Sequence, residues 1–170
     1  MSLYGDATWV AAIDTTLART VNVDPVTHGR AIVDANLYMV LGTADADGRP
    51  WATPVYFAHS EYREFLWVSK PGAQHSLNLE ARAEASIVIF DSTVPISTGQ
   101  AVYVSATAQE VGAEGRAEAL EIFTRRSLAH GGREWTAEDV VAPARLRLYR
   151  AIAVDQFVLD EHDNRLPVAL

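Results

Sequence analysis

Cysteine is absent from the 170 residues. Disulfide frameworks, Cys-ligated zinc, iron–sulfur clusters and thiol catalysis are therefore excluded. Lysine is nearly absent too: Lys70 is the only one among 14 basic residues. Basic residues are outnumbered by 22 acidic ones, and 14 minus 22 leaves a net charge of −8. Nucleic-acid backbones favour basic stripes, so no nucleic-acid partner is expected. No apolar run approaches the roughly 20 residues of a membrane helix, so no membrane partner is expected either. The opening MSLYGDATWV lacks the basic and apolar regions of a signal peptide. These absences predict a soluble, cytoplasmic protein.

Several catalytic signatures are missing as well. No G-x-G-x-x-G follows a strand, and there is no G-x-x-x-x-G-K-[ST], so dinucleotide and P-loop folds lack support. There is no G-x-S-x-G elbow and no S-x-x-K. The histidines, at 28, 59, 75, 130 and 162, show no H-E-x-x-H spacing, and no metal site is expected. What is present is ordinary for a globular chain: 49% apolar and 21% charged residues. A chain of this length makes one domain, residues 1–170, burying roughly 70% of the surface its unfolded form exposes.

Trp9, Ile13 and Leu17 recur every four positions, which predicts a helix from Asp6 to about residue 20. A short helix over Thr27–Ala35 follows, with Thr27 as its cap. Leu37–Ala44 reads as a strand, Asp45-Ala46-Asp47-Gly48 as a turn, and Arg49–Ala58 as the returning strand. Pro50 and Pro54 make that second strand an irregular or edge one. Phe65–Ser69 and Ala85–Asp91 are further strands, separated by a helix over Ala73–Arg82. Ala101–Val111 alternates, with Val102, Val104, Ala106 and Ala108 on one face. Glu114–Ala129 is a helix, ended by Gly131-Gly132. Leu146–Leu159 is a last long strand, with Leu146, Leu148, Arg150, Ile152 and Val154 at alternate positions on one face. Six strands in hairpin order predict a mainly β (α+β) fold, a six-stranded antiparallel barrel with peripheral helices.

The segment Trp67-Val68-Ser69-Lys70-Pro71-Gly72-Ala73-Gln74-His75-Ser76 joins a strand to a helix through a Pro-Gly turn. Free N–H groups at a helix start attract anions. Ser69 adds a hydroxyl, Lys70 a cation, Gln74 an amide and His75 an imidazole. Together they suit a phosphate monoester.

The motifs Leu41-Gly42-Thr43, Asp47-Gly48-Arg49-Pro50, Thr53-Pro54-Val55-Tyr56-Phe57, Trp67-Val68-Ser69-Lys70, Gln74-His75 and Asn78-Leu79 occur in a telling order. In that order the chain resembles the FMN-binding split-barrel family, the pyridoxamine 5′-phosphate oxidase-like proteins. The resemblance runs from about residue 28 to 111. It implies a homodimeric split β-barrel with FMN at the subunit interface and a flavin oxidoreductase activity on a small molecule. It implies that Thr53, Pro54, Val55 and Tyr56 line the flavin ring. It implies that Val68, Ser69, Lys70, Gln74 and His75 take the phosphate, and that Gln100 reaches the partner's site. No side-chain acid or base is implied, because the flavin carries the chemistry. Related split barrels take the deazaflavin F420, haem or bilin, so F420 and a non-enzymatic flavin- or haem-binding role are the alternatives. Two departures stand out. His75 and Gln74 occupy positions where the family commonly has lysine and arginine. The strand holding Thr53–Phe57 lacks basic residues, which speaks against vitamin B6 oxidation.

Overall fold

A computed structural model describes residues 24–160 and 162–170. The helix expected over residues 6–20 lies outside them. The first described helix is α1 (Pro25–Ala35). Its cap is Asp24 rather than Thr27: the Asp24 carboxylate accepts from the Thr27 backbone N–H and hydroxyl, both at 3.0 Å. Proline fits the first helical turn, where its missing N–H has no partner to lose.

The strands follow as β1 (Tyr38–Ala44), β2 (Pro50–Tyr56), β3 (Ala58–Ser60) and β4 (Glu64–Ser69). Helix α2 (Gln74–Ala81) leads to β5 (Glu84–Phe90) and β6 (Ala101–Glu110). Helices α3 (Arg116–Ala129) and α4 (Ala137–Val140) precede β7 (Arg147–Leu159) and β8 (Arg165–Val168). Every pairing is antiparallel, in the order β2-β1-β5-β6-β7-β4-β3, with β8 added beside β7. The strands curl into an antiparallel split barrel with peripheral helices. The described residues form eight strands rather than six. The second expected strand breaks at Phe57, whose N–H turns to the Leu37 carbonyl, and Arg165–Val168 adds β8 beside β7.

The inner face is set by alternation. Met39 and Leu41 of β1, Ile87 and Ile89 of β5, and Val102 and Val104 of β6 are buried together. Phe65 and Trp67 of β4 complete this core with no exposed surface. Removing a side chain as large as Trp67 costs roughly 3–5 kcal/mol. On β7 the inner face is Tyr149, Ala151 and Ala153, while Ile152 and Val154 stand 43% and 65% exposed. The face expected from Leu148, Ile152 and Val154 is therefore the outer one. A register shift at Ser105/Ala106 bends β6 against β7 there.

The outer face of β3, β4 and the start of β7 is covered by α3, through Leu120, Ile122 and Phe123 packed on Ala58, Leu66 and Leu148. Arg126 of α3 closes the seam with α1. Its Nη2 donates to the carbonyls of Val33 (3.2 Å) and Asn36 (2.8 Å), and its guanidinium lies 4.9 Å from the Phe57 ring centre.

Candidate functional site

Strand β4 ends at Ser69 and α2 begins at Gln74. The turn between them closes with the Ala73 N–H donating to the Lys70 carbonyl at 3.0 Å. Residue Ala73 occupies the cap position and offers no side chain to the first helical turn. The N–H groups there are left for another acceptor.

Two internal hydrogen-bond systems organise the residues at this joint. Ser69 Oγ and His75 Nε2 share a hydrogen bond of 2.7 Å. Residue His75 is only 5% exposed, and burial pushes its imidazole below the ordinary histidine value. Gln74 Nε2 donates to Asn78 Oδ1 at 2.8 Å, and Asn78 Nδ2 donates to Thr43 Oγ1 at 3.0 Å. This chain ties α2 to β1 through a buried amide. Asn78 belongs to the recognised motif, but its link to Thr43 spans 35 residues and becomes visible only in the fold.

Charge at the joint is sparse. Arg147 pairs in register with Ser69, yet its guanidinium is engaged by Glu110 (3.6 Å) and by the carbonyls of Ala144 and Leu146. Among the described residues this leaves exposed Lys70 as the free cation beside Ser69.

The structure thus brings Val68, Ser69, Lys70, Gln74 and His75 to one joint. Thr53, Pro54, Val55 and Tyr56 lie on β2, the edge strand on which α2 packs. The Thr53 Oγ1 atom is buried and has no hydrogen-bond partner among the described residues, and the same holds for the Tyr56 hydroxyl. Burial raises the Tyr56 phenol, with Arg126 opposing. Gln100 is elsewhere. It precedes β6, whose far end, Glu110, faces Tyr149 two residues along β7 from Arg147. Ten residues of strand place Gln100 about 30 Å from the joint of its own chain. There it meets His28 of α1 at 3.3 Å.

A second polar cluster was not legible from sequence. Asp34 of α1 receives the Tyr62 hydroxyl (2.9 Å) and lies 3.1 Å from His59 Nε2. Burial and the neighbouring Arg126 hold His59 below the ordinary histidine value, with Asp34 opposing. Tyr62 and Glu61 both have positive φ, 56° and 47°, in the tight turn after β3. Among the described residues no group of His, Asp or Glu is arranged to hold a metal. No helix among them is long and apolar enough to cross a membrane.

Ser69, exposed Lys70, the uncapped start of α2 and the unpartnered Thr53 hydroxyl thus stand on an antiparallel split barrel. A sequence profile of the pyridoxamine 5′-phosphate oxidase family matches residues 27–153. The chain belongs to that family. Its fold is similar to that of a haem-binding protein from Mycobacterium smegmatis, with a TM-score of 0.67 and 16% identity over 83% of this chain. The chain spans only 56% of that protein's length. A 5-nitroimidazole antibiotic resistance protein assigned in Bacteroides thetaiotaomicron is similar at a TM-score of 0.63 and 12% identity, covering 80% of this chain and 84% of that one. An FAD-binding protein from Mesorhizobium loti is similar at a TM-score of 0.60 and 19% identity, covering 77% and 91%. At such identities these likenesses concern the fold. No curated protein matches by sequence.

Proposed function

We propose that the chain is an FMN-dependent oxidoreductase that acts on a small molecule as a homodimer. The observation that carries this reading is the β4–α2 joint, whose uncapped helix start lies beside the Ser69 hydroxyl and the free Lys70 ammonium. A terminal phosphate monoester satisfies those donors. The residues present fit the group: Thr53 Oγ1 on β2 is a buried oxygen in want of a partner. Thr53, Pro54, Val55 and Tyr56 would line the ring, and Val68, Ser69, Lys70, Gln74 and His75 would hold the phosphate. When bound, FMN supplies hydride or electron transfer at its ring. The chain's own groups bind, orient and shield it, which accords with the lack of a side-chain acid–base pair at the joint.

Two features support the dimer. Gln100 lies far from its own joint, beside His28 of α1, so a role at an FMN site would be at the partner's. Tyr38 and Phe90, on the outer face of β1 and β5, stand 61% and 44% exposed, beside half-buried Val40 and Val88. An apolar sheet face of this kind fits an interface between copies.

The test is titration of the purified protein with FMN, FAD and riboflavin, with its absorption spectrum recorded first. Preference for FMN, and reduction of the bound flavin by a nicotinamide donor, are the expected results. A deazaflavin spectrum would favour F420, a haem band would favour haem binding, and FMN bound without turnover would favour the non-enzymatic role. Binding of none of these groups would end the reading.

A further inference from the structure

Away from the joint, the turn between β3 and β4 is strained. Glu61 and Tyr62 have φ values of 47° and 56°, a region where a side chain crowds the following carbonyl. Paired positive φ values in a hairpin turn favour Asn-Gly, and neither residue is present here. Tyr62 is held in place by contacts outside the turn. The Asp34 carboxylate of α1 accepts from its hydroxyl at 2.9 Å. The Arg30 guanidinium lies 5.1 Å from its ring centre, and the His59 ring lies 4.7 Å from it. The turn is also fastened to β7, where Gln156 Nε2 donates to the Tyr62 carbonyl and the Ala153 N–H donates to the Arg63 carbonyl.

His59 is the point at which a proton disturbs this arrangement. A carboxylate only accepts, so His59 Nε2 carries the hydrogen that meets Asp34 Oδ1 at 3.1 Å, and the neutral ring keeps its lone pair on Nδ1. A second proton must go to Nδ1. That atom is buried and has no hydrogen-bond partner among the described residues. The ring packs against Phe57 and Phe65 as well as Tyr62, and its side chain is only 11% exposed. Arg126 of α3 stands on the same Phe57 ring, 4.9 Å from its centre, and repels a charged imidazole. Asp34 attracts one. Of the other charges on these elements, Arg30 lies on Tyr62, Glu61 is exposed, and Glu64 is engaged by Arg150 at 3.2 Å. Burial and Arg126 outweigh Asp34, so the charged form is disfavoured in this setting. We propose that His59 is a proton-operated catch: once charged it leaves for solvent, the stack on Tyr62 is lost, and the strained β3–β4 turn comes free of α1 while the rest of the sheet stays paired. The device needs no cofactor and stands apart from the flavin reading.

The experiment is amide hydrogen exchange, read by NMR on the full chain from pH 8 to pH 5 and expressed as protection relative to the intrinsic rate at each pH. The probes are the Arg63 N–H, which donates to the Ser60 carbonyl at 3.0 Å, and the Ala153 N–H, which donates to the Arg63 carbonyl at 2.8 Å. Their protection is expected to fall about tenfold per pH unit once His59 titrates, the slope for one linked proton. Amides in the β5–β6 pairing should keep theirs. His59→Gln retains a donor for Asp34 and cannot titrate, so protection at the two probes should no longer depend on pH. Asp34→Asn keeps an acceptor and removes the charge that favours the imidazolium, so the loss should begin at lower pH. Constant protection at both probes across the range would overturn the proposal. So would the same pH dependence in His59→Gln, an onset that moves to higher pH in Asp34→Asn, or an equal loss in the β5–β6 pairing, which is global unfolding.

Discussion

Ser69 and His75 face each other across the turn from β4 to α2, joined by a 2.7 Å hydrogen bond beneath an exposed lysine. The pair is internal and neutral in character, while Lys70 above it carries the charge. In the proposed FMN site, phosphate recognition would be divided between a solvated cation and a buried polar pair, and the two halves would respond differently to substitution.

Lys70→Ala removes the charged half. FMN affinity should fall roughly 10- to 150-fold, the effect of one charge-assisted contact. Riboflavin shares the ring and lacks the phosphate, so its affinity should hardly move. Fluorescence titration of both ligands checks this, and an equal loss for both would remove the phosphate from this joint.

His75→Lys installs the residue common in the family at a buried position. Without cofactor the ammonium loses the Ser69 arrangement and its water, costing roughly 1–3 kcal/mol of stability. With FMN the new cation meets the phosphate, so the rise in melting temperature on adding FMN should exceed that of the parent protein. Calorimetry with and without FMN reads both effects. A variant as stable as the parent in the absence of FMN would contradict the burial of this site.

Acid should destabilise the fold through two histidines. His59 and His75 are both held below the ordinary value of 6.5. The unfolded chain therefore binds more protons than the folded one as pH falls. Their contribution is fully present above about pH 6.5 and is lost as pH drops through their depressed folded values. Denaturant midpoints measured from pH 8 to pH 5 should decline below 6.5, and the decline should be shallower in His59→Gln/His75→Gln.

Arg126 binds α3 to the end of α1. Arg126→Ala leaves the carbonyls of Val33 and Asn36 without their donor and uncovers Phe57, at a cost of about 2–4 kcal/mol. Arg126→Lys should recover less than half of it, because a single ammonium cannot span both carbonyls and the ring. Urea unfolding gives both numbers.

Phe90→Asp places a charge on the apolar outer face of β5. Sedimentation should shift from a species of twice the chain mass towards the 18.6 kDa monomer. The circular dichroism spectrum should stay unchanged, because Phe90 is not in the core. A parent protein that sediments as a monomer at micromolar concentration would remove the dimer from the proposal.

Much of the fold could be read from the sequence because one face of each strand is buried among large apolar residues. Val102 and Val104 announce β6 in this way, and Asp47-Gly48 announces the hairpin before it. On β7 the same rule picks the wrong face. Alanines at 151 and 153 fill the narrow interior, and Ile152 and Val154 stand outside. Small buried residues give no hydrophobic signal. The Ser69–His75 pair was legible because both residues sit in one short motif. The Asp34–His59–Tyr62 cluster was not, since it joins Asp34 to residues 25 and 28 positions further on.

The position of β7 bears on how the chain folds as it is made. Strand β4 and strand β6 do not touch each other in the sheet; each pairs with β7, which ends at Leu159. Until β7 has left the ribosome, the β3–β4 hairpin has no further strand partner and β6 shows an open edge. A nascent chain stalled before residue 147 carries two unpaired edges at once. Such edges are templates for association between chains. Closure is thus a long-range event that waits for β7, and holdase chaperones should engage this protein chiefly before that strand emerges.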